Sequence, residues 1–392
     1  MDKAVLAWKK RKIRFLYNNG PFHNEPLPGV VFFYPESLER SIRENFLEKL
    51  VVEIKELTGE EINILKQISY KIGLEEKMGS NLIYTISNID LERSIFVPVL
   101  WSGHFNSVNG NLKNKISPKL SQCALEQTIQ NIGENNSTFA KNQLRNFALG
   151  ILIETGTKPW VISENLHHDL HIGIDLLYGN ISYNFLYGKG GRFIRAEVGS
   201  TLTRGRHHEA IKKTLLSNQI MNSIESITKE GHNIKNLIIH RDGRWWQSES
   251  EGLKYAISQL KDRNVIPENL EYAVVEVRKT HLPIRIFSST LKDRKIKLKN
   301  PLIGTYLKLD SNNLLITTTG TKSWDNFTRG RSANTLLLKV VESEGKLALE
   351  NIAEDAYDLT HLNWNSPDID ISLPVTITWA DQSLREKYIY EK

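Results

Sequence analysis

The chain has 392 residues, 40% of them hydrophobic, and 51 Lys+Arg against 45 Asp+Glu give a formal net charge of +6 and a pI near 9.0. No run of eighteen apolar residues occurs, which excludes an ordinary membrane-spanning helix, and the basic cluster Lys9-Lys10-Arg11-Lys12 follows the short N-terminal apolar piece, the wrong order for a secretory signal. Cys123 is the only cysteine, so no internal disulfide can form and a reducing cytoplasm fits. The length favours two domains. The basic excess weakly favours an anionic partner such as nucleic acid, although a solvated basic surface accounts for it nearly as well.

Residues 1–28 contain a basic, partly β-like segment from Lys9 to Tyr17, broken by Asn18-Asn19-Gly20-Pro21, and read as an N-terminal arm or linker remnant. Residues 29–158 read as a small α/β unit. Val30-Val31-Phe32-Phe33 is a buried strand, and Ser37 is placed to cap a helix with Leu38, Ile42, Phe46 and Leu50 on one face. The runs Leu82 to Ile86 and Ile95 to Leu100 are further strand candidates, and helical patterns follow over 118–131 and 137–149. Alternation of this kind implies a mostly parallel, Rossmann-like sheet, and Gly156 to Pro159 marks its boundary.

Residues 159–392 change character. His171 to Leu177, Tyr183 to Tyr187 and Arg192 to Val198 read as successive strands, the last two joined by the turn Gly188-Lys189-Gly190-Gly191. A helix carrying Ile211, Leu215, Ile220, Ile224 and Ile227 ends at Gly231. Then come the strand Leu237 to Asp242, a helix over 249–262 and the strand Tyr272 to Val277. Three antiparallel strands, then helix, strand, helix, strand, is the order of a ribonuclease H-like core. Strands over 304–308, 314–319 and 335–341 precede a helix over 347–359, and Leu373 to Asp381 reads as a terminal strand entering a last helix.

Chemistry concentrates at the end of one strand, Leu237-Ile238-Ile239-His240-Arg241-Asp242-Gly243-Arg244. An apolar run ends in a carboxylate, and Gly243 lets the chain turn there. Open α/β sheets place ligands at such strand ends, although a turn aspartate explains Asp242 equally well when it is taken alone. Asp175 lies in the first strand of the same unit. The ribonuclease H-like order makes those two strands neighbours, so both carboxylates can reach one point, with Asp381 available as a third and Glu209 as a fourth. Clustered hard oxygens suit Mg²⁺ or Mn²⁺, and a pair of such cations can clamp the attacking and leaving oxygens of a phosphodiester.

The segments Gly173-Ile174-Asp175, Arg206-His207-His208-Glu209-Ala210-Ile211, His240-Arg241-Asp242-Gly243-Arg244 and Trp379-Ala380-Asp381, in this order, resemble the PIWI domain of Argonaute proteins. Val277-Arg278-Lys279-Thr280-His281, Arg285-Ile286-Phe287, Pro301 to Thr305 and Leu359 to Trp364 agree with it. The resemblance covers residues 160–392 and, more weakly, the preceding unit as the MID domain. It implies a tetrad of Asp175, Glu209, Asp242 and Asp381, in which the three aspartates ligate Mg²⁺ or Mn²⁺ and Glu209 is a mobile finger. The implied activity is cleavage of a target strand paired to a bound guide oligonucleotide, DNA or RNA, leaving a 3′-hydroxyl and a 5′-phosphate. The alternatives are a weakly catalytic or non-catalytic guide-binding module acting with a partner chain, and a guide-free ribonuclease H-like nuclease.

Two departures from that family stand out. Argonautes hold the guide 5′-phosphate in a MID pocket with a glutamine and several lysines. Gln122 matches the glutamine, but Gly150 and Glu154 fall where lysines are implied. Lys113, Lys115 or Lys119 then substitutes, or the guide carries a 5′-hydroxyl, or no 5′ end is held tightly. Only about 28 residues precede the MID-like unit, which resembles a short, PAZ-lacking form: either it works without PAZ, or a partner chain supplies N and PAZ domains or an effector, or the chain is a fragment. The adjacent pairs His167-His168 and His207-His208 do not point one way in regular structure, so zinc is not expected there. Trp245 and Trp246 are expected to pack in the core rather than stack on bases.

Overall fold

The computed structural model describes residues 12–391 except 72–78, 92, 102–111, 113–114, 117–118, 163–164, 178–179, 189–191, 201–209, 280–285, 293–294, 320–333 and 365–370. The chain forms two compact units, one built on Ala7–Val161 and the other on Ile162–Asn363 with Asp370–Arg385. Among the described residues no helix is long and apolar enough to cross a membrane.

The first unit is a parallel sheet in the order β2-β1-β3-β4, with β5 also on β3. Its elements are β1 (Gly29–Pro35), α1 (Arg40–Thr58), β2 (Ile64–Tyr70), α2 (Ser80–Ser87), β3 (Ser94–Leu100), β4 (Leu120–Ser121), β5 (Ala124–Leu125), α3 (Glu126–Glu134) and α4 (Thr138–Glu154). The apolar runs of β1 and β3 are buried on both faces, as parallel strands covered by helices require. Pro98 is accommodated within β3 because the neighbour on that side changes there: Phe96 pairs with β4 and Val99 with β5.

Several sequence expectations need correction here. The run Leu82 to Ile86 is helix, not strand. Gly79, at φ 64, precedes it, Leu82 and Ile86 are buried at i, i+4, and Tyr84 between them is 73% exposed. Ser37 does not cap α1, which starts at Arg40; its hydroxyl donates to Glu126 at 3.2 Å. The helix expected from 118 starts at Glu126, after β4 and β5. Residues 12–19 are helical rather than β-like. Two lysines cap helix ends from other elements. The Lys119 ammonium donates to the carbonyls of Ile86, Ser87 and Ile89 at 2.6–3.0 Å, and Lys49 to those of Ile132 and Asn135 at 2.7 and 3.1 Å. Each cation meets the unsatisfied, partially negative carbonyl end of a helix.

The second unit is an eight-stranded sheet, ordered β13-β14-β15-β10-β9-β6-β7-β8, with a separate hairpin β11-β12. The elements are β6 (Leu170–Leu177), β7 (Asn180–Tyr187), β8 (Arg192–Ser200), α5 (Lys213–Lys229), β9 (Asn236–Asp242), α6 (Gln247–Asp262), β10 (Glu271–Arg278), β11 (Ser288–Lys292), β12 (Lys295–Lys299), β13 (Tyr306–Lys308), β14 (Asn313–Thr319), β15 (Asn334–Glu344), α7 (Leu349–Asp358) and α8 (Val375–Glu391). β6 lies parallel to β9 and antiparallel to β7. Strand alternation sorts the core into two layers. Ile172, Ile174, Leu237 and Ile239 pack with Leu216, Ile220 and Ile224 of α5 and Leu253 and Ile257 of α6. Ile238, Ala273, Val275 and Val277 pack on the other face with Ile352 and Ala356 of α7 and Ile377 of α8. The expected terminal strand is instead the first part of α8. Pro374 opens the helix, its carbonyl accepting from Ile377 and Thr378, and burial of Val375, Thr376 and Ile377 outweighs their β-branched preference for strand.

A buried carboxylate ties α7 to the start of β6. Asp355 Oδ1 accepts from the His167 amide at 2.8 Å. Its Oδ2 accepts from the His168 amide at 3.1 Å, His168 Nδ1 at 2.6 Å and His171 Nε2 at 3.0 Å. Burial opposes ionisation, yet these bonds from His168 and His171 hold the carboxyl well below the usual range. Asp355→Ala strands these buried donors and is expected to lower stability by about 3–5 kcal/mol, the scale of breaking one half of a buried pair. The midpoint of thermal unfolding of the full chain measures this, and an unchanged midpoint refutes it.

Candidate carboxylate site

The last register pair of β6 and β9 is Ile174↔Arg241, so Asp175 and Asp242 follow side by side at the C-terminal ends of neighbouring parallel strands. Adjacent strands lie about 4.8 Å apart. Side-chain parity puts His171, Gly173 and Asp175 on one face of β6, and Ile238, His240 and Asp242 on the corresponding face of β9. That is the face covered by α7 and α8, because Ile238 packs with Ile377 and a Cβ added to Gly173 would meet the Thr376 carbonyl oxygen at 2.3 Å. On α8, Ile377, Ala380 and Leu384 are buried, and Asp381 shares their i, i+3, i+4, i+7 stripe. Asp381 therefore faces the same strand ends.

The electrostatics agree with this convergence. Burial first, then the Asp242 charge and more weakly that of Asp381, pushes the Asp175 carboxyl up to about 7. The Leu176 amide, donating to Asp175 Oδ1 at 2.8 Å, offsets part of this. Lys279 Nζ stands 3.6 Å from Asp242 Oδ2 as a partial counter-charge. Three carboxylates crowded together, one of them buried and resisting ionisation, form a hard-oxygen set whose repulsion a divalent cation relieves, so Asp175, Asp242 and Asp381 fit Mg²⁺ or Mn²⁺.

The strand end that carries Asp242 is clamped from its other face. Arg241, 2% exposed, donates from Nη1 to the Asp242 carbonyl and from Nη2 to Glu249 Oε1 at 3.4 Å. Glu249 also accepts from the amides of Ile211 at 3.0 Å and Trp246 at 3.1 Å. Gly243, at φ 95, supplies the left-handed turn that follows. Trp245 packs against the core and donates from Nε1 to Glu342, while Arg244 lies 4.5 Å over the Trp246 ring.

Beneath the carboxylates, His240 is fully buried, and burial pushes its imidazole down to about 3, so it is neutral at working pH. Its Nδ1 lies 3.1 Å from Thr376 Oγ1, and its ring stacks on His171 at 5.8 Å between centroids. The ligand atoms of His168, His171 and Asp355 lie within 4.8 Å of one another and can hold a cation. The 2.6 Å contact is a hydrogen-bond separation, shorter than two ligands of one tetrahedral metal at about 2.0–2.1 Å would allow. His171 and Asp355 were not singled out by sequence: Asp355 is far away in the chain, and a lone strand histidine gives no signal. Lys279 was noted only as part of a motif.

Other sequence-predicted residues lie elsewhere. Glu209 and Lys113 are outside the described residues, as are the remaining calls at His207-His208 and Lys189-Gly190-Gly191. In the first unit, Gln122 packs against Gly150, where a Cβ would come 3.0 Å from Gln122 Cδ, so a longer side chain at 150 displaces it. Lys115 is exposed, whereas Lys119 caps α2.

Residues 110–385 match the Piwi domain family. Over 275 residues the chain is 24% identical to the protein argonaute of Pyrococcus furiosus, covering 67% of this chain and 32% of that protein. Clostridium butyricum Argonaute bound to a guide DNA (5′ deoxycytidine) and a 19-mer target DNA is similar in fold, with TM-score 0.72 at 22% identity over 97% of this chain and 50% of that one. Aa-Ago with externally bound siRNA gives TM-score 0.64 at 21% identity over 96% and 50%. The chain thus spans about a third of the curated relative and half of each solved one.

Raising the Asp175 pKa costs the metal-free protein stability. The folded state keeps a proton that the unfolded state releases, so the penalty is absent below about pH 4, grows between pH 4 and 7, and levels off on the order of 4 kcal/mol above that window. Asp175→Asn removes this titration. Unfolding midpoints of wild type and D175N measured from pH 4.5 to 7.5 in chelator should diverge in favour of the variant as pH rises; parallel curves would refute the crowding.

Proposed function

Because the chain belongs to the Piwi-domain family, we propose that it is a guide-directed endonuclease that cleaves the strand complementary to a bound oligonucleotide. The observation that carries this reading is the convergence of Asp175, Asp242 and Asp381 at the C-terminal ends of β6 and β9 beneath α8. In this reading the three aspartates hold Mg²⁺ or Mn²⁺, and Glu209 completes the set. When bound, the cations supply Lewis-acid activation of the scissile phosphate and of the attacking water. The chain's own contribution is placement. Arg241 and Glu249 fix the strand end that presents Asp242, α8 presents Asp381, and Lys279 is available to move from Asp242 to a phosphate oxygen.

The first unit, as a MID-like domain over residues 29–158, takes the guide 5′ end near Gln122. Support for an altered 5′ pocket comes from Gln122 lying against Gly150, where the family implies a lysine, and from Lys119, whose ammonium is taken up by the α2 carbonyls. Target sequence is then read by base pairing, with the protein gripping backbone.

Incubation of the protein with Mn²⁺, a guide and an end-labelled complementary target is expected to give one major cut that requires complementarity and leaves a 3′-hydroxyl. Asp242→Asn should slow it by at least about 100-fold, the scale of losing one preorganised transition-state group. No cleavage with DNA or RNA guides of either 5′ chemistry would sink the reading. A separate binding titration addresses the 5′ pocket. Guides with 5′-hydroxyl and 5′-phosphate ends should bind comparably, and strong selection for the phosphate would show a conventional pocket instead.

A further inference from the structure

Three residues meet one step below the carboxylates. Gly173 and His240 are register partners on β6 and β9, and both face α8. Thr376 touches them both: its carbonyl occupies the space a Gly173 side chain would need, and its Oγ1 lies 3.1 Å from His240 Nδ1. Asp175 and Asp242 each lie two strand residues beyond this meeting point, about 6.7 Å on. Asp381 lies five helical residues beyond it, about 7.5 Å on. The ligand set is therefore displaced from a common anchor by nearly the same distance on all three elements. The anchor is itself held: His240 stacks on His171, and His171 Nε2 donates to Asp355 of α7 at 3.0 Å. Thr376 is fully buried, so its hydroxyl has no solvent alternative.

We propose that His240 and Thr376 are a positioning pair for the carboxylate site: their hydrogen bond fixes α8 over β6 and β9 and so sets how tightly Asp175, Asp242 and Asp381 bind a divalent cation. The proposal rests on the reading of those aspartates as metal ligands. Partners that orient ligands from behind commonly change metal affinity about ten-fold or more when removed.

The test is Mn²⁺ binding to the full chain without nucleic acid, read as loss of the free-ion paramagnetic resonance signal, alongside thermal unfolding. Thr376→Val keeps the shape and removes the hydroxyl; it should weaken Mn²⁺ binding about ten-fold while the chain still unfolds cooperatively at a moderately lowered midpoint, and Thr376→Ser should restore the binding. Should T376V fail to fold, His240→Leu against His240→Asn, which keeps an amide near the Nδ1 position, gives the same comparison. Unchanged affinity in T376V, or T376S binding as weakly as T376V, overturns the pair. Asp175→Asn separates the two levels. If D175N leaves Mn²⁺ binding intact, the ligand reading fails and the pair falls with it; if D175N abolishes binding while T376V does not weaken it, only the pair is overturned.

Discussion

Everything at the strand ends depends on how closely the backbone of α8 can approach β6. A helix on a sheet normally stands off by the length of the side chains between them. Here the Thr376 carbonyl fills the volume of a Cβ that Gly173 lacks, and any other residue at 173 would force the two elements apart. With that approach made, a strand residue two positions on and a helix residue just over one turn on can share a point in space. Without it, Asp381 is a surface carboxylate on a terminal helix.

Crowding acids at the end of a buried sheet works against folding, and the surrounding polar clamps oppose that tendency. Arg241 and Glu249 form a buried pair on the far face of β9, reaching the backbone ahead of α5 and the start of α6. Asp355 gathers two histidines and two amides at the root of β6. Buried ionic groups add little net stability compared with well-packed apolar residues, but each is costly to disturb. Between them they tie β6 to α7 and β9 to the segments that open α5 and α6. A site built from side chains on rigid strands needs such fixation more than it needs extra stability.

Much of the second unit was legible in the sequence because its strands are short apolar runs and several are bounded by turn glycines such as Gly188 and Gly243. The β6, β7, β8, α5, β9, α6, β10 order follows from that patterning, and with it the adjacency of Asp175 and Asp242. Where the reading failed, local preference was outweighed by burial. Val375 to Thr378 has strand-forming residues throughout, yet it is helix because Pro374 opens it and the sheet covers it. Leu82 to Ile86 is too short for periodicity to separate helix from strand. The β11-β12 hairpin was missed although Lys295-Ile296-Lys297-Leu298-Lys299 alternates strictly, and its apolar residues Leu291 and Ile296 stand exposed. Asp355 was invisible since its partners lie nearly two hundred residues away and only folding brings them together.

The lysines that close helix ends alter what the basic isoelectric point means. Lys49 and Lys119 count toward it, but their ammonium groups are hydrogen-bonded to backbone carbonyls at helix ends. A polyanion gains from a cation only when contact releases condensed counterions from its phosphates. An ammonium held by helix carbonyls must give up those bonds before it contacts a phosphate, so it contributes less. Titration charge and the charge available to a polyelectrolyte are therefore different quantities for this chain, and the second is the smaller.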